Sequence, residues 1–332
     1  MDKINWGIIG CGDVTELKSG PAFNKVNNSS LEAVMRRDAA KAKDYAKRHN
    51  VPKWYDDANQ LINDPAVTAI YVATPPSSHE EYTIAAIKAG KPVYVEKPMS
   101  VNLSSAKSMA QVANEHSQKL VVAHYRREQP LFKKIKELLD EKAIGDVRII
   151  NLMCYKKALT PQELSNPGIA WRVNTSIAGG GLFNDLAPHQ LDLMIYFFGE
   201  IESAIGAAAN QAHLYNADDV VAGNILFKCG VMFSGTWCFC IGENNEKDMC
   251  EIIGTKGKIN FAVFEHQSIA ITKESGTETI SFEKLMHVQQ PMIEKVVAYF
   301  LNEGGNPCSG EEGVKVMELI DEFTQKSFNA FY

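Results

Sequence analysis

No stretch of this chain comes near the ~20 consecutive apolar residues that a membrane-spanning helix needs. Cysteine is scarce and follows no paired pattern: 7 residues, an odd number, argue against a disulfide framework and for a reducing compartment. Cys238 and Cys240 lie two apart on an expected strand, but no second pair and no nearby histidine completes a zinc tetrad, so no metal is expected. Excess positive charge is missing too. With 34 Lys and Arg against 40 Asp and Glu the formal charge is -6, which offers no electrostatic footprint for nucleic acid or an anionic membrane surface. A small molecule is the expected partner. The chain shows no internal repeat, no low-complexity segment and no basic-then-apolar leader before its first strand, and the expected location is the cytoplasm. What is present is an ordinary globular composition, 45% hydrophobic and 22% charged, over 332 residues, enough for two domains with a core each.

The hydrophobic pattern changes near residue 124. Before it, strand-like runs at Ile4 to Ile9, Leu31 to Met35, Ala69 to Ala73, Pro92 to Val95 and Leu120 to Ala123 alternate with helical stretches near Ala39 to His49, His79 to Ala89 and Ser104 to Gln118. Such alternation predicts an α/β domain over residues 1–124 with a doubly wound parallel sheet. Residues 125–332 read as an α+β domain with an open, mostly antiparallel sheet. Its strands are expected at Val147 to Tyr155, Ala204 to Ala212, Val220 to Phe227, Val231 to Cys240 and Asp248 to Ile253. Helices close the chain at Gln290 to Leu301 and Glu311 to Ser327. In Val231 to Cys240 the odd positions Val231, Phe233, Trp237 and Phe239 are bulky and apolar and the even ones mostly smaller, so one side faces covering helices. The flatter side meets either a second subunit, as a homodimer or homotetramer, or solvent.

Five segments carry chemistry. The first strand runs into Gly10-Cys11-Gly12-Asp13-Val14, a glycine turn whose backbone N–H groups can approach a pyrophosphate closely, with Thr15 where a third small residue is usual. Gly10, Gly12, Asp13 and Val14 are the candidate cofactor contacts there. Past the second strand an NAD site offers an acid to both ribose hydroxyls, whereas this run is Val34-Met35-Arg36-Arg37. Guanidinium groups at Arg36 and Arg37 match a 2′-phosphate, so NADP is expected over NAD, with Asp38 the residue that would favour NAD. After the run Ala69 to Ala73, Thr74 and Pro75 border the cofactor, Ser77 or Ser78 caps the next helix, and His79 is either a cofactor contact or a structural residue of the helix start. Glu96-Lys97-Pro98 follows a buried run, so an ammonium group stands at the carboxyl end of a parallel strand, where ligands of such sheets collect. Finally, Gly179-Gly180-Gly181 leads into a helix on which Asp185, His189 and Asp192 share one face at the end of a flexible run. A carboxylate beside an imidazole suits acid/base chemistry near neutral pH.

In this order and with these motifs the chain resembles the Gfo/Idh/MocA family of glucose-fructose oxidoreductase and inositol dehydrogenase, over nearly its whole length. The resemblance implies a Rossmann domain carrying NAD(P), a second domain whose open sheet often forms the oligomer interface, and oxidation or reduction of a sugar or polyol hydroxyl. It assigns Lys97, Asp185 and His189 to catalysis, Glu96, Trp171 and Arg172 to the cofactor, and Pro98 to a usually cis proline. Tyr125 and Arg126, with Tyr155 on the next strand, become substrate contacts; Tyr125 and Pro76 stand where Asn is frequent in the family, which leaves the substrate open. The expected reaction is reversible hydride transfer, with His189 exchanging the hydroxyl proton, Lys97 holding the same oxygen and Asp185 orienting the imidazole or a neighbouring hydroxyl. Two other family activities compete: a cofactor-binding regulator without turnover, which should lack the lysine or the histidine, and a glycosidase that restores its own NAD, which would cleave a nitrophenyl glycoside with no net change in nicotinamide absorbance.

Overall fold

The computed structural model describes residues 2–265 and 267–325. They divide into two compact units, one made of Met1–Gln129 and Leu285–Met317, the other of Pro130–Lys284 and Glu318–Tyr332. This differs from the single cut expected after residue 124: the crossing falls after Gln129, and the chain later returns to the first unit.

The first unit holds six strands, β1 (Ile4–Ile9), β2 (Ser29–Met35), β3 (Lys53–Tyr55), β4 (Ala69–Val72), β5 (Val93–Val95) and β6 (Leu120–Val122). They pair in parallel in the order β3-β2-β1-β4-β5-β6. Strand order reverses between β1 and β4, the switch point beyond which such sheets bind ligands. The connecting helices are α1 (Asp13–Leu17), α2 (Ala39–Arg48), α3 (Ala58–Asn63), α4 (His79–Lys88) and α5 (Leu103–Glu115). β4 and β5 are buried at every residue, which is why they read as unbroken apolar runs. The edge strand β3, three residues long and half-exposed, has no such signature and was not anticipated. Arg48 on α2 binds Glu16 of α1 with both terminal nitrogens at 2.7 Å, and this pairing holds the Glu16 carboxyl down at about 2.

The return to this unit has a visible cause. Trp6 of β1 is fully buried, and Phe23, Tyr94 and Phe300 stand 4.8, 6.5 and 5.6 Å from it. Phe300 ends a late helix, Gln290–Phe300, whose last carbonyls are taken by Lys119: its Nζ donates to the oxygens of Tyr299 (2.6 Å) and Phe300 (3.1 Å).

The second unit contains α6 (Pro130–Asp140), β7 (Val147–Lys157), the short helices α7 (Pro161–Ser165), α8 (Pro167–Ala170) and α9 (Thr175–Ala178), and α10 (Gly181–Phe198). Strands β8 (Ile201–Ala209), β9 (Val220–Phe227), β10 (Met232–Ile241), β11 (Lys247–Gly254), β12 (Gly257–Phe261), β13 (Ser268–Lys273) and β14 (Gly276–Ser281) follow. In the order of the chain, α11 is the Gln290–Phe300 helix and α12 is Gly310–Thr324. The eight strands form one sheet, β14-β13-β12-β11-β7-β10-β9-β8, antiparallel except where β7 meets β10. The last three strands, β12 to β14, were not anticipated; β14 exposes five of its six residues, so no alternation marks it. The last positions of the helix expected to Ser327 lie outside the described residues.

One face of this sheet is buried. On β10, Phe233, Trp237 and Phe239 are 0–1% exposed, while Met232 on the other face is 55% exposed. Glycines 206, 223 and 235 pair side by side across β8, β9 and β10, and the ring of Phe323 from α12 lies over the first two. A Cβ at Gly223 would stand 2.3 Å from that ring. The glycines are the socket for the aromatic knob.

Candidate functional site

In the first unit the amides of Gly10 and Cys11 both donate to Met35 O, at 2.9 and 3.1 Å, so the end of β2 shapes the turn after β1. Gly10 has φ +93°, and a Cβ there would lie 2.7–2.9 Å from Thr74, side chain and backbone. A Cβ at Gly12 would meet only Gly10 O, at 3.9 Å, which leaves the backbone open to a ligand. Thr15 is fully buried; its Oγ1 donates to Gly12 O (2.8 Å) and its carbonyl accepts from Tyr45 Oη (2.7 Å), so a threonine fits where glycine is usual. Thr74 Oγ1, next to the turn, is buried with no partner among the described residues. An open glycine turn beside an unanswered hydroxyl fits a dinucleotide.

Arg36 and Arg37 part ways after β2. Arg36 Nη1 donates to Cys11 O (3.2 Å) and so lies against the turn. Arg37 lines a cleft with Tyr82, Asp56, Asp57 and Glu81. Asp38 caps α2, accepting from Lys41 N (3.1 Å), and this bond holds its carboxyl below the usual range.

His79 is 1% exposed, with Nε2 2.7 Å from Thr74 O and Nδ1 3.0 Å from Pro98 O. Both ring nitrogens thus face backbone carbonyls, and burial lowers the imidazole pKa. Of the two roles weighed for it, the structural one matches this placement: the ring ties the Thr74-Pro75 loop to the Lys97-Pro98 loop. Neither Ser77 nor Ser78 caps α4; Ser78 Oγ turns back to Pro75 O (3.2 Å).

Glu96 ends up inside the unit, 6% exposed, rather than facing the crevice. Its Oε1 accepts from Tyr71 Oη and from Gln289 Nε2, each at 2.5 Å, and Oε2 accepts from the Lys97 amide at 3.1 Å. Lys97 itself is half-buried, and the Lys97-Pro98 peptide is cis. Tyr125 and Arg126 occupy the turn Tyr125–Glu128 after β6, 7% and 6% exposed, with the Arg126 guanidinium 5.6 Å from the Tyr125 ring centre.

In the second unit α10 carries Asp185, His189 and Asp192 on one face, as the spacing predicts. His189 and Asp192 are 5% and 1% exposed. Two residues on the far side fix the helix about its axis: Gln190 Oε1 accepts from Trp237 Nε1 (2.6 Å), and Phe183 meets Trp237 edge-on at 5.1 Å. Pro188 has no N–H for the Asn184 carbonyl, a local break in the ladder one residue before His189. The glycines ahead of α10 are packed rather than free. A Cβ at Gly181, φ +70°, would strike Ala217 Cβ at 2.6 Å, and one at Gly180 would strike Asn184 Oδ1 at 2.3 Å.

Trp171 and Arg172 stand on the turn Trp171–Val173, where Arg172 lies 4.7 Å from the Trp171 ring centre and its Nε 3.4 Å from Asp185 Oδ2. Arg172, assigned to the cofactor, is therefore also paired with the acid assigned to catalysis. Tyr155 is not brought to the His189 side of the sheet. On β7 the buried positions are Ile150, Leu152 and Cys154; Tyr155 points to the opposite face, its hydroxyl 2.8 Å from Thr236 Oγ1. Period two decides this: a residue paired with Cys238 cannot share the face of Trp237. Among the described residues no group of three or more His, Cys, Asp or Glu is placed to hold a metal, and no helix is long and apolar enough to cross a membrane.

Residues 4–124 match the oxidoreductase family with an NAD-binding Rossmann fold, and residues 132–260 match the GFO/IDH/MocA C-terminal domain. The chain belongs to the Gfo/Idh/MocA family and is an NAD(P)-dependent dehydrogenase or reductase of CH–OH groups. It is 46% identical over 321 residues to Oxidoreductase P35 of Formosa agariphila, spanning 97% of this chain and 98% of that one. It is 25% identical over 337 residues to myo-inositol 2-dehydrogenase of Thermotoga maritima, with 97% and 95% covered. Levoglucosan dehydrogenase, solved in complex with NADH and levoglucosan, has the same fold, with a TM-score of 0.86 over 97% of this chain and 96% of that one at 22% identity.

Proposed function

We propose that the protein transfers a hydride between NADP and a hydroxyl- or carbonyl-bearing carbon of a sugar, a polyol or a related small molecule. The observation that carries this reading is the single face of α10 on which Asp185, His189 and Asp192 stand together, with Asp185 engaged by Arg172. The substrate class rests on the relatives, one a myo-inositol 2-dehydrogenase and one solved with levoglucosan. When bound, the nicotinamide supplies or accepts the hydride. His189 exchanges the hydroxyl proton, Lys97 stabilises negative charge developing on the substrate oxygen, and Asp185 orients the imidazole or a neighbouring hydroxyl. The turn at Gly10, Gly12, Asp13 and Val14 takes the pyrophosphate, Thr74 and Pro75 border the nucleotide, and Tyr125 and Arg126 contact the substrate. Preference for NADP rests on Arg36, which lies against the turn, and on Asp38, whose carboxylate is committed to the cap of α2. Arg37 shares its cleft with three carboxylates and contributes less.

A panel of sugars and polyols, read by the absorbance of reduced nicotinamide with each cofactor, tests the reading. Replacing Lys97 or His189 by alanine should lower turnover by on the order of 100-fold or more each. Turnover like the parent's in both variants defeats the mechanism, and tighter binding of NAD defeats the cofactor preference. We further propose that the exposed face of the second sheet, where Ile149 and Met232 pair at 39% and 55% exposure, joins subunits.

A further inference from the structure

Leu285–Gln289, where the chain returns to the first unit, lies far in sequence from α1 and from Glu96-Lys97, yet it reaches both. His287 Nδ1 donates to Leu17 O at 2.7 Å, and the Gln289 amide N–H donates to Lys18 O at 3.2 Å. The segment thus sits on the C-terminal end of α1, the helix that leaves the glycine turn. The Gln289 side chain, 0% exposed, runs on to the lysine loop. Its Oε1 accepts from Tyr94 Oη (3.0 Å), which fixes the amide so that Nε2 faces Glu96 Oε1 at 2.5 Å. Tyr71 Oη donates to the same oxygen, and the other carboxylate oxygen receives the main-chain N–H of Lys97. The Tyr71 and Gln289 donors are buried, where a hydrogen bond to the carboxylate is stronger than in water.

We propose that Gln289 is a positioning residue for the reaction: by holding Glu96 against the Lys97 amide, and by standing on the end of α1, it sets the direction in which the Lys97 ammonium is presented relative to the cofactor turn. This rests on the reading of Lys97 as the group that acts on the substrate oxygen. Tyr71 Oη and Gln289 Nε2 stand equally close to Glu96 Oε1, and the two donors together fix it. Without the Gln289 amide the carboxylate keeps the Tyr71 hydroxyl and one long bond to the residue it must direct, and Tyr94 is left with an unanswered hydroxyl in the core. The titratable groups facing this assembly are Tyr71 on β4, Tyr94 on β5, Glu96 itself and His79 at the start of α4, with Tyr125 and Cys308 beyond Tyr94. Burial and the Glu96 charge keep both tyrosines protonated, so they remain donors across the neutral range.

Two substitutions test this. Gln289→Leu removes the donor at nearly constant volume, and kcat should fall about tenfold while KM for the substrate changes little, because the loss is one of geometry at the reacting group. Gln289→Glu puts a second carboxyl against Glu96. While the pair shares a proton the introduced group donates as the amide did, and once that proton is lost the two carboxylates repel. The ratio of this variant's kcat to the parent's should therefore be highest at low pH and fall to the level of Gln289→Leu as pH rises. A mere packing role would lower both variants equally at every pH, and that result overturns the proposal, as does a kcat for Gln289→Leu within twofold of the parent. Lys97→Ala, measured alongside, separates the two layers. If it turns over like the parent, the reading of Lys97 fails and the proposal with it; if it is inactive while Gln289→Leu is normal, the positioning role alone fails.

Discussion

Thr15 and Arg36 show how single residues adapt a common turn. Thr15 takes the place of a small residue without leaving a buried hydroxyl unanswered, because Gly12 O lies 2.8 Å away. Arg36 donates to a carbonyl of the turn itself, so its charge is held against the turn. Arg36→Ala should raise the dissociation constant for NADP by about tenfold or more, the scale of one charge-assisted hydrogen bond, and leave that for NAD nearly unchanged. Quenching of intrinsic fluorescence by each cofactor checks this, and an equal loss for both would remove Arg36 from the phosphate. The glycines, the arginines, Lys97 and the Asp185/His189 pair stand out as candidates residue by residue, since each sits at a chemically marked place in a local pattern. Such reading does not reach the placement of Glu96 and Tyr155, whose surroundings are set by partners distant in the chain. Tyr71 and Gln289 claim the first, and the pleat turns the second away.

The elements that were legible are those with a strong period of their own. β1, β4 and β5 appear within a residue of where pattern and punctuation put them, whereas β3 and β14, short and half-exposed or nearly fully exposed, carry no period to read. The glycine row across β8, β9 and β10 is another feature that no single strand announces. Each glycine looks like a weak point in its own strand and becomes intelligible only when Phe323 is seen to fill the gap. Gly223→Ala should destabilise the protein by about 1–3 kcal/mol, since the added carbon overlaps the ring and the central strand cannot yield easily. Denaturant unfolding measures it, and combining Gly223→Ala with Phe323→Leu should recover part of the loss. Strict additivity of the two changes would show that the ring and the glycine are not coupled.

At the scale of the molecule, the exposed face of the second sheet asks for cover. Ile149, Met232 and Leu226 are direct neighbours across β7, β10 and β9, and they are 39%, 55% and 37% exposed. A contiguous apolar row on an otherwise folded sheet is the signature of an interface. The protein is expected to self-associate through it, and Met232→Lys should shift the population toward monomer in light scattering coupled to size exclusion; a parent protein that elutes as a clean monomer removes this expectation. Local sequence determined the kind of fold and the chemical vocabulary: alternating apolar runs dictate a parallel sheet with a glycine turn after its first strand, and helical spacing alone puts Asp185 and His189 on one side. Tertiary structure alone decided that Leu285–Met317 rejoins the first unit, that Gln289 reaches Glu96, and that Tyr155 faces away from His189. The physical reason is the range of the forces. Backbone geometry and hydrophobic period act over a few residues and are written locally, whereas burial of Trp6 and the pairing of buried polar groups depend on which distant segment arrives to complete them.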